Sequence, residues 1–242
     1  MADGTPAFAV AVGEDVLRVA RPGTRWLSTG HDGGVSTADA AYNVTVPEGF
    51  DRTDLDAFLA ERFDAAGVDP GPALLTGVAQ RHARGARSGS VTAVATAGLS
   101  NPATLPTAPT GDPSAAPAGA DPPAGTVNLL VGTRRALAPG TLASLLATVV
   151  EAKTATLLAT TGFTGTTSDA VVVGTDPDGA PARFAGSATD LGADARACVR
   201  AAVRASCDAR YADERPPPSV AAARHGVRTD RRATTFSPNA RI

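Results

Sequence analysis

The chain has 242 residues, 43% hydrophobic but only 4% aromatic, so a packed core must be filled by alanine, valine and leucine. Its net charge of −2 splits into an acidic body, with 16 basic and 21 acidic residues over 1–210, and a basic tail, with six arginines against three acids over 211–242. That balance argues against nucleic acid as the main partner. No run approaches the roughly 20 apolar residues that a membrane span needs, and MADGTPAF lacks the basic-then-apolar order of a secretory leader, so a cytoplasmic enzyme or binding protein is expected.

In chain order, AFAVAVGEDVLRVA (7–20) reads as two strands around a turn at Gly13-Glu14-Asp15. RWLST (25–29) and AYNVTV (41–46) read as strands flanking a glycine-rich loop, GHDGGVSTAD. Leu55, Phe58, Leu59 and Phe63 share one helical face, which predicts a helix over 53–66, started by Asp51 or Thr53 and ended by Gly67. PALLTGVA and SVTAVATAG are predicted strands, separated by a polar arginine-rich turn, RHARGARSG. Residues 102–124 are almost all Pro, Ala, Gly, Thr, Ser and Asp and predict a mobile loop inserted in the domain.

GTVNLLVG (125–132) resumes the sheet. Leu142, Leu145, Leu146, Val149, Val150 and Leu157 predict a long helix from near Thr141, preceded by Pro139-Gly140. DAVVVGT is an apolar strand of the kind buried on both faces. Asp190–Arg210 is the last predicted helix, with Leu191, Cys198, Val199, Ala202 and Val203 inward. The expectation is one α+β or mixed α/β domain over 1–210, its helices packed on a mixed sheet, followed by a disordered basic tail over 211–242. Cys198 and Cys207 lie nine apart on that helix, separated by a rise of roughly 13 Å, so they cannot bridge and read as buried small hydrophobes.

His31, His82 and His225 are scattered, and no metal cluster, phosphate loop, dinucleotide fingerprint or nucleophile elbow is present, so neither metal nor cofactor is expected. His31, in its glycine-rich loop, can reach a ligand; His82 and His225 are expected to be solvated. The polar signal lies at strand ends. TAGLSN (96–101) puts Ser100 and Asn101 at the lip of a strand, Asn128 enters a buried strand, and TGTTSD (164–169) sets hydroxyls and Asp169 just before another. Each has an ordinary reading as turn former, cap or core hydrogen-bonder. Together they make a rim suited to a ligand rich in amides. Lys153 is the only lysine in the chain. It projects about 200° from Glu151 on the helix, so its natural partner is a carboxylate such as Asp169, whether for a structural ion pair or for chemistry.

These elements, Gly33-Gly34 followed by Asn43 and Val46, then TAGLSN, GTVN, EAKTATL, TGTTSD, Ala185-Gly186 and Leu191-Gly192, resemble in order the adenosylcobinamide amidohydrolase family over roughly residues 15–210. The family pattern TGTGTD departs here to TGTTSD, with Thr167 and Ser168 in place of Gly and Thr. The resemblance implies hydrolysis of the amide joining aminopropanol to the corrin ring, giving adenosylcobyric acid and 1-amino-2-propanol, a prokaryotic and especially archaeal corrinoid-salvage step with the corrin as substrate. Amide hydrolysis needs a base on water, a holder for the oxyanion and an acid for the leaving amine. Asp169, Glu151 and Lys153 are the expected catalytic groups. Gly33, Gly34, Asn43, Ser100, Asn101, Asn128, Thr164 and Thr166 form the expected substrate-binding set. A corrinoid-binding protein that does not cut, and an amidase for another small molecule, are the competing readings. Alanine-rich helix faces are compatible with a homo-oligomer.

Overall fold

The computed structural model describes residues 7–108 and 125–238. In chain order the elements are β1 (Ala9–Val12), β2 (Val16–Ser28), β3 (Gly34–Thr45), α1 (Leu55–Ala66), β4 (Ala73–Thr76), β5 (Arg84–Ser88), β6 (Val91–Ala97), β7 (Pro102–Thr104), β8 (Val127–Leu137), α2 (Pro139–Thr161), β9 (Gly165–Thr166), β10 (Ala170–Ala182), α3 (Asp190–Arg210) and β11 (Val227–Arg228), with short 3₁₀ turns at Gln80–His82 and Val220–Ala222. The main sheet has the order β4-β3-β2-β10-β8-β6-β5, with β1 also on β2. It is mixed: β3/β4 and β8/β10 are parallel, and the other pairs are antiparallel. A small second sheet, β11-β7-β9, lies apart from it. The fold is α+β, with three helices packed on a mixed sheet.

A register shift between Ala20 and Thr24 bends the β2–β3 hairpin. Such a bulge kinks the strand and raises its twist. The far half of the hairpin, with β4, thereby folds over the β8–β10 region, and β3 and β4 approach β8 and β10. Side-chain alternation then sorts three cores. Val91, Ala93, Ala95, Ala97, Leu129, Val131, Val171 and Val173 face α2 and α3. Val94, Leu130 and Val172 point the other way and meet Leu17, Val19, Trp26, Ala41 and Leu74 between the two sheet layers. Ala40, Tyr42, Val44 and Ala73 look outward onto Phe58, Leu59 and Phe63 of α1. Gly132 and Gly174, paired across β8 and β10, leave room for the rings of Phe8 and Trp26, which pack 5.6 Å apart; a Cβ at either glycine would overlap a ring.

The helices follow their local signals. Pro139 opens α2, where its missing N–H costs nothing, and Gly162 ends it at φ 77°. The Thr189 side chain caps α3 by accepting from Gly192 N–H at 3.1 Å. Contrary to the expectation that no run is long enough, α2 is by length and composition apolar enough to cross a membrane. Here Leu142, Leu145, Val149 and Leu157 spend that character on the core beside α3.

Several boundaries differ from expectation. Asp54, not Asp51 or Thr53, precedes α1, and its side chain makes no cap bond. Pro139-Gly140 lies inside α2 rather than before it. The long loop expected over 30–39 shrinks to the five residues 29–33, because Gly34–Ala38 pairs with β2. The arginine-rich turn contains an edge strand, β5, held by its ladder with β6 although RGARS lacks apolar alternation. Of the loop expected over 102–124, the first three residues form β7, while 109–124 lie outside the described residues. After α3 the chain turns at Val220–Ala222 and pairs β11 with β7.

Candidate active site

A cleft of about 680 Å³ opens where β4 and β6 end and β8 and β10 begin. Its floor is Gly98, Ser100, Gly125, Thr126 and Ser168. The facing wall is the loop Val46–Arg52 with Leu55 and the end of β4, Leu75–Val78; Arg210 and Tyr211 at the end of α3 close the third side. The size suits a small-molecule site, with a largely apolar wall and a few polar groups on one side.

Behind the floor stands a buried charge pair. Lys153 of α2 donates to Asp169 Oδ2, and the two side chains are only 8% and 10% exposed. Asp169 Oδ2 also accepts from Thr166 N–H at 3.1 Å, and Oδ1 accepts from Val127 N–H at 2.9 Å and from the Thr166 hydroxyl. Four donors occupy a carboxylate with about four acceptor positions. Gly165 permits this packing, since a Cβ there would run into the Asp169 carboxylate. Asp169 thus ties together α2, the start of β8 and the 164–169 loop.

The same loop holds Asn101, which is fully buried. Asn101 Nδ2 donates to Thr167 Oγ1 at 2.7 Å and to Ser168 Oγ at 3.4 Å, and its backbone carbonyl accepts from Thr167 N–H. Its Oδ1 accepts nothing among the described residues. Gly125 packs on this corner: a Cβ there would meet Asn101 Oδ1 at 2.6 Å and overlap Ser100 Oγ. Ser100 and Ser168 are the hydroxyls that reach the cleft from this corner. Thr164 sits one step back, with both its N–H and its hydroxyl on Ala103 O at 2.9 Å.

Not every expected group joins the cluster. Glu151 accepts from Arg196 of α3 and its side chain is 62% exposed, on the far side of α2 from Lys153, as their 200° separation requires. Asn43 and Asn128 are fully buried between the sheet layers. Asn128 Nδ2 donates to Asn43 Oδ1 at 2.8 Å and to Leu75 O at 2.9 Å, its Oδ1 accepts from Ala170 N–H, and Asn43 Nδ2 donates to Thr96 Oγ1. These amides are spent on joining the layers beneath the cleft. Gly33 and Gly34 line a separate hollow between the β2–β3 turn and α1, beside His31, which bonds Asp56 at 2.7 Å. His82 is not simply solvated: its Nδ1 donates to Ala209 O at 2.9 Å, and burial lowers its pKa.

The structure adds groups that the sequence reading passed over. Tyr211 accepts the Leu99 N–H on its phenol oxygen at 2.7 Å, and burial pushes its pKa above the usual tyrosine value. Its sequence signal was only its rarity, one of two tyrosines, directly after α3. Arg52 on the opposite rim donates to Asp54 and Glu61, and these bonds hold both carboxyls below the usual range. Arg210 pairs with Glu214.

A profile described as adenosylcobinamide amidohydrolase matches residues 10–215, which contain every residue of the cleft and of the buried pair. A Halobacterium salinarum protein named adenosylcobinamide amidohydrolase is 52% identical over 234 residues, covering 96% of this chain and 100% of that protein. A match of that extent leaves no part of the fold unaccounted for, and the chain belongs to the adenosylcobinamide amidohydrolase family, hydrolases that act on an amide.

Proposed function

We propose that this chain hydrolyses the amide joining aminopropanol to the corrin ring of adenosylcobinamide, releasing adenosylcobyric acid and 1-amino-2-propanol, as a cytoplasmic step returning salvaged corrinoid to cobalamin synthesis. The observation that carries the reading is the buried Lys153–Asp169 pair beneath a loop whose Ser168 opens into the cleft beside Ser100. Family membership supports the substrate, and so does the cleft: an apolar wall accepts the macrocycle while hydroxyls and amides meet its arms.

Water adds its oxygen to the amide carbon, the C–N bond breaks, and at neutral pH both of its protons end on the leaving nitrogen, leaving a carboxylate and an ammonium group. Asp169 is the acceptor of the first proton. Because its oxygens are already occupied, the proton passes through Thr166: the hydroxyl takes it from water while giving its own to Asp169 Oδ1, the bond now present. Lys153, paired with Asp169, supplies the positive field, and by proton transfer the acid, for the departing amine. Asn101 orients Thr167 and Ser168, and the Ser100 hydroxyl stabilises the oxyanion, joined by Ser168 once its O–H leaves Gly125 O, now 3.3 Å away. Asn43 and Asn128, committed between the layers, hold the floor in place, and Glu151 stands outside the set.

A second reading, a corrinoid-binding protein that does not cut, is favoured by the same saturation of Asp169, which an inert structural pair would also show. Incubation with adenosylcobinamide separates them. Release of 1-amino-2-propanol by the native chain, lost in Thr166→Val and Asp169→Asn proteins that still fold, supports hydrolysis. Tight binding without release establishes the carrier.

A further inference from the structure

Tyr211 carries a proton that nothing among the described residues uses. Its oxygen is pinned by the Leu99 N–H at 2.7 Å, so the O–H must point elsewhere, and among the described residues nothing accepts it. The ring is held as well: the Arg210 guanidinium lies 5.0 Å from its centroid, and the Tyr211 backbone N–H closes α3 on Cys207 O at 2.9 Å. The group is therefore preorganised, and it lines the same cleft as Val46, Phe50 and Ser100, with Ser100 one residue beyond its Leu99 anchor. The phenol is protonated at neutral pH, as any ordinary tyrosine is, and burial pushes its pKa further up.

Its surroundings select the ligand. The cations of the cleft rim are already paired, Arg210 with Glu214 and Arg52 with Asp54 and Glu61. Among the described residues lining the cleft there is no other cation, so a carboxylate or phosphate would have to displace one of those carboxylates. A neutral donor beside an apolar wall fits a neutral acceptor of high dipole, an amide carbonyl.

We propose that Tyr211 is a substrate-binding residue that donates its O–H to an amide carbonyl oxygen of the ligand in this cleft. This rests on the function proposed above. It adds the recognition of a carbonyl to a residue that would otherwise only fasten the end of α3 to the Leu99–Asn101 loop. The two roles differ on ionisation: a phenolate still accepts the Leu99 N–H but can donate nothing.

The test uses the full chain and adenosylcobinamide, with equilibrium binding and 1-amino-2-propanol release both measured. Tyr211→Phe keeps the ring and its stacking; the expected result is about tenfold weaker binding and a 10- to 100-fold lower kcat/KM in a folded protein. Because the chain has only two tyrosines, global trifluorotyrosine in a Tyr42→Phe background places a phenol that ionises near neutrality at position 211 alone. Burial raises that ionisation too, so this protein should lose affinity as pH rises above neutrality, and the unlabelled Tyr42→Phe protein should hold its affinity over the same range. The charged and titratable groups near the phenol are Arg210, Glu214 and Cys207 on its own side and Glu48, Asp51 and Arg52 across the cleft; all are common to both proteins. Wild-type behaviour of Tyr211→Phe, or a flat profile in the fluorinated protein, overturns the assignment. If Tyr211→Phe does not fold, the fluorinated protein decides. Native protein that binds adenosylcobinamide without releasing aminopropanol removes the hydrolase reading, and the binding arms still judge Tyr211. Absence of binding by the native protein removes both.

Discussion

Lys153 meets Asp169 across the turn from α2 to β10, and the pair is enclosed although neither residue lies in the apolar core. Charges that deep are tolerated only when paired and hydrogen-bonded, and Asp169 is, by Val127, Thr166 and Lys153. Removing one partner leaves an uncompensated charge. Asp169→Asn and Lys153→Met should each cost about 3 kcal/mol or more, and the double variant less than their sum. Urea unfolding of the four proteins measures this. Additive losses would mean the two charges do not interact.

Gly165 gives a finer probe of the same place. Alanine there adds one methyl group against the Asp169 carboxylate without touching its charge. The carboxylate must shift, at about 1–3 kcal/mol of stability. Turnover should fall at least tenfold in protein that remains folded at the assay temperature. Wild-type turnover of Gly165→Ala would show that the position of the carboxylate does not matter to the chemistry.

What was legible beforehand was what local chemistry decides. The bounds of α3 follow from its amphipathic stripe, and the Lys153–Asp169 partnership follows from helical geometry plus a single lysine. β5 was not legible, because an edge strand held by backbone bonds to β6 needs no side-chain alternation. The folded-over hairpin was not legible either. It depends on a bulge between Ala20 and Thr24, and without it nothing brings Asn43 to Asn128, 85 residues away. The cleft inherits that blindness: its Val46–Arg52 wall reaches the Ser100–Ser168 floor only through the bend.

The amide bridge between the layers predicts a stability role separable from chemistry. Asn43→Ala deprives Asn128 Nδ2 of one acceptor and Thr96 Oγ1 of its donor, in a fully buried place. The cost should be about 2 kcal/mol, or roughly 4–8 °C in Tm for a chain of this size. Differential scanning calorimetry reads it directly. A change under 1 °C would mean that water or a shifted neighbour replaces the lost bonds.

Glu151 offers the opposite case. Its partner Arg196 lies on α3, the pair faces solvent, and exposed pairs contribute roughly 0–1 kcal/mol. Glu151→Gln should therefore keep turnover within about twofold of the native protein and stability within about 1 kcal/mol. Steady-state kinetics check this beside Asp169→Asn. A hundredfold loss in Glu151→Gln with Tm unchanged would return Glu151 to the catalytic set.

The cysteines set the alkaline limit. Burial pushes both the Cys198 and Cys207 thiols up to about 11, and neighbouring Asp194 and Asp208 push the same way. An unfolded thiol ionises near pH 8.5, so between roughly pH 8.5 and 11 the unfolded chain releases protons that the native one keeps. The native state therefore loses stability as pH rises through that window, while below it the thiols contribute no pH dependence. Cys198→Ala in a Cys207→Ala background should flatten the alkaline side of a Tm-against-pH curve at some cost in packing. The same burial makes Cys198 inert at neutral pH: iodoacetamide at pH 7 should leave it unmodified in native protein and label it once the chain is unfolded in urea, as mass spectrometry will show. Rapid labelling of native Cys198 would place that thiol in an accessible site and contradict its packing among Val91, Ala195 and Val199.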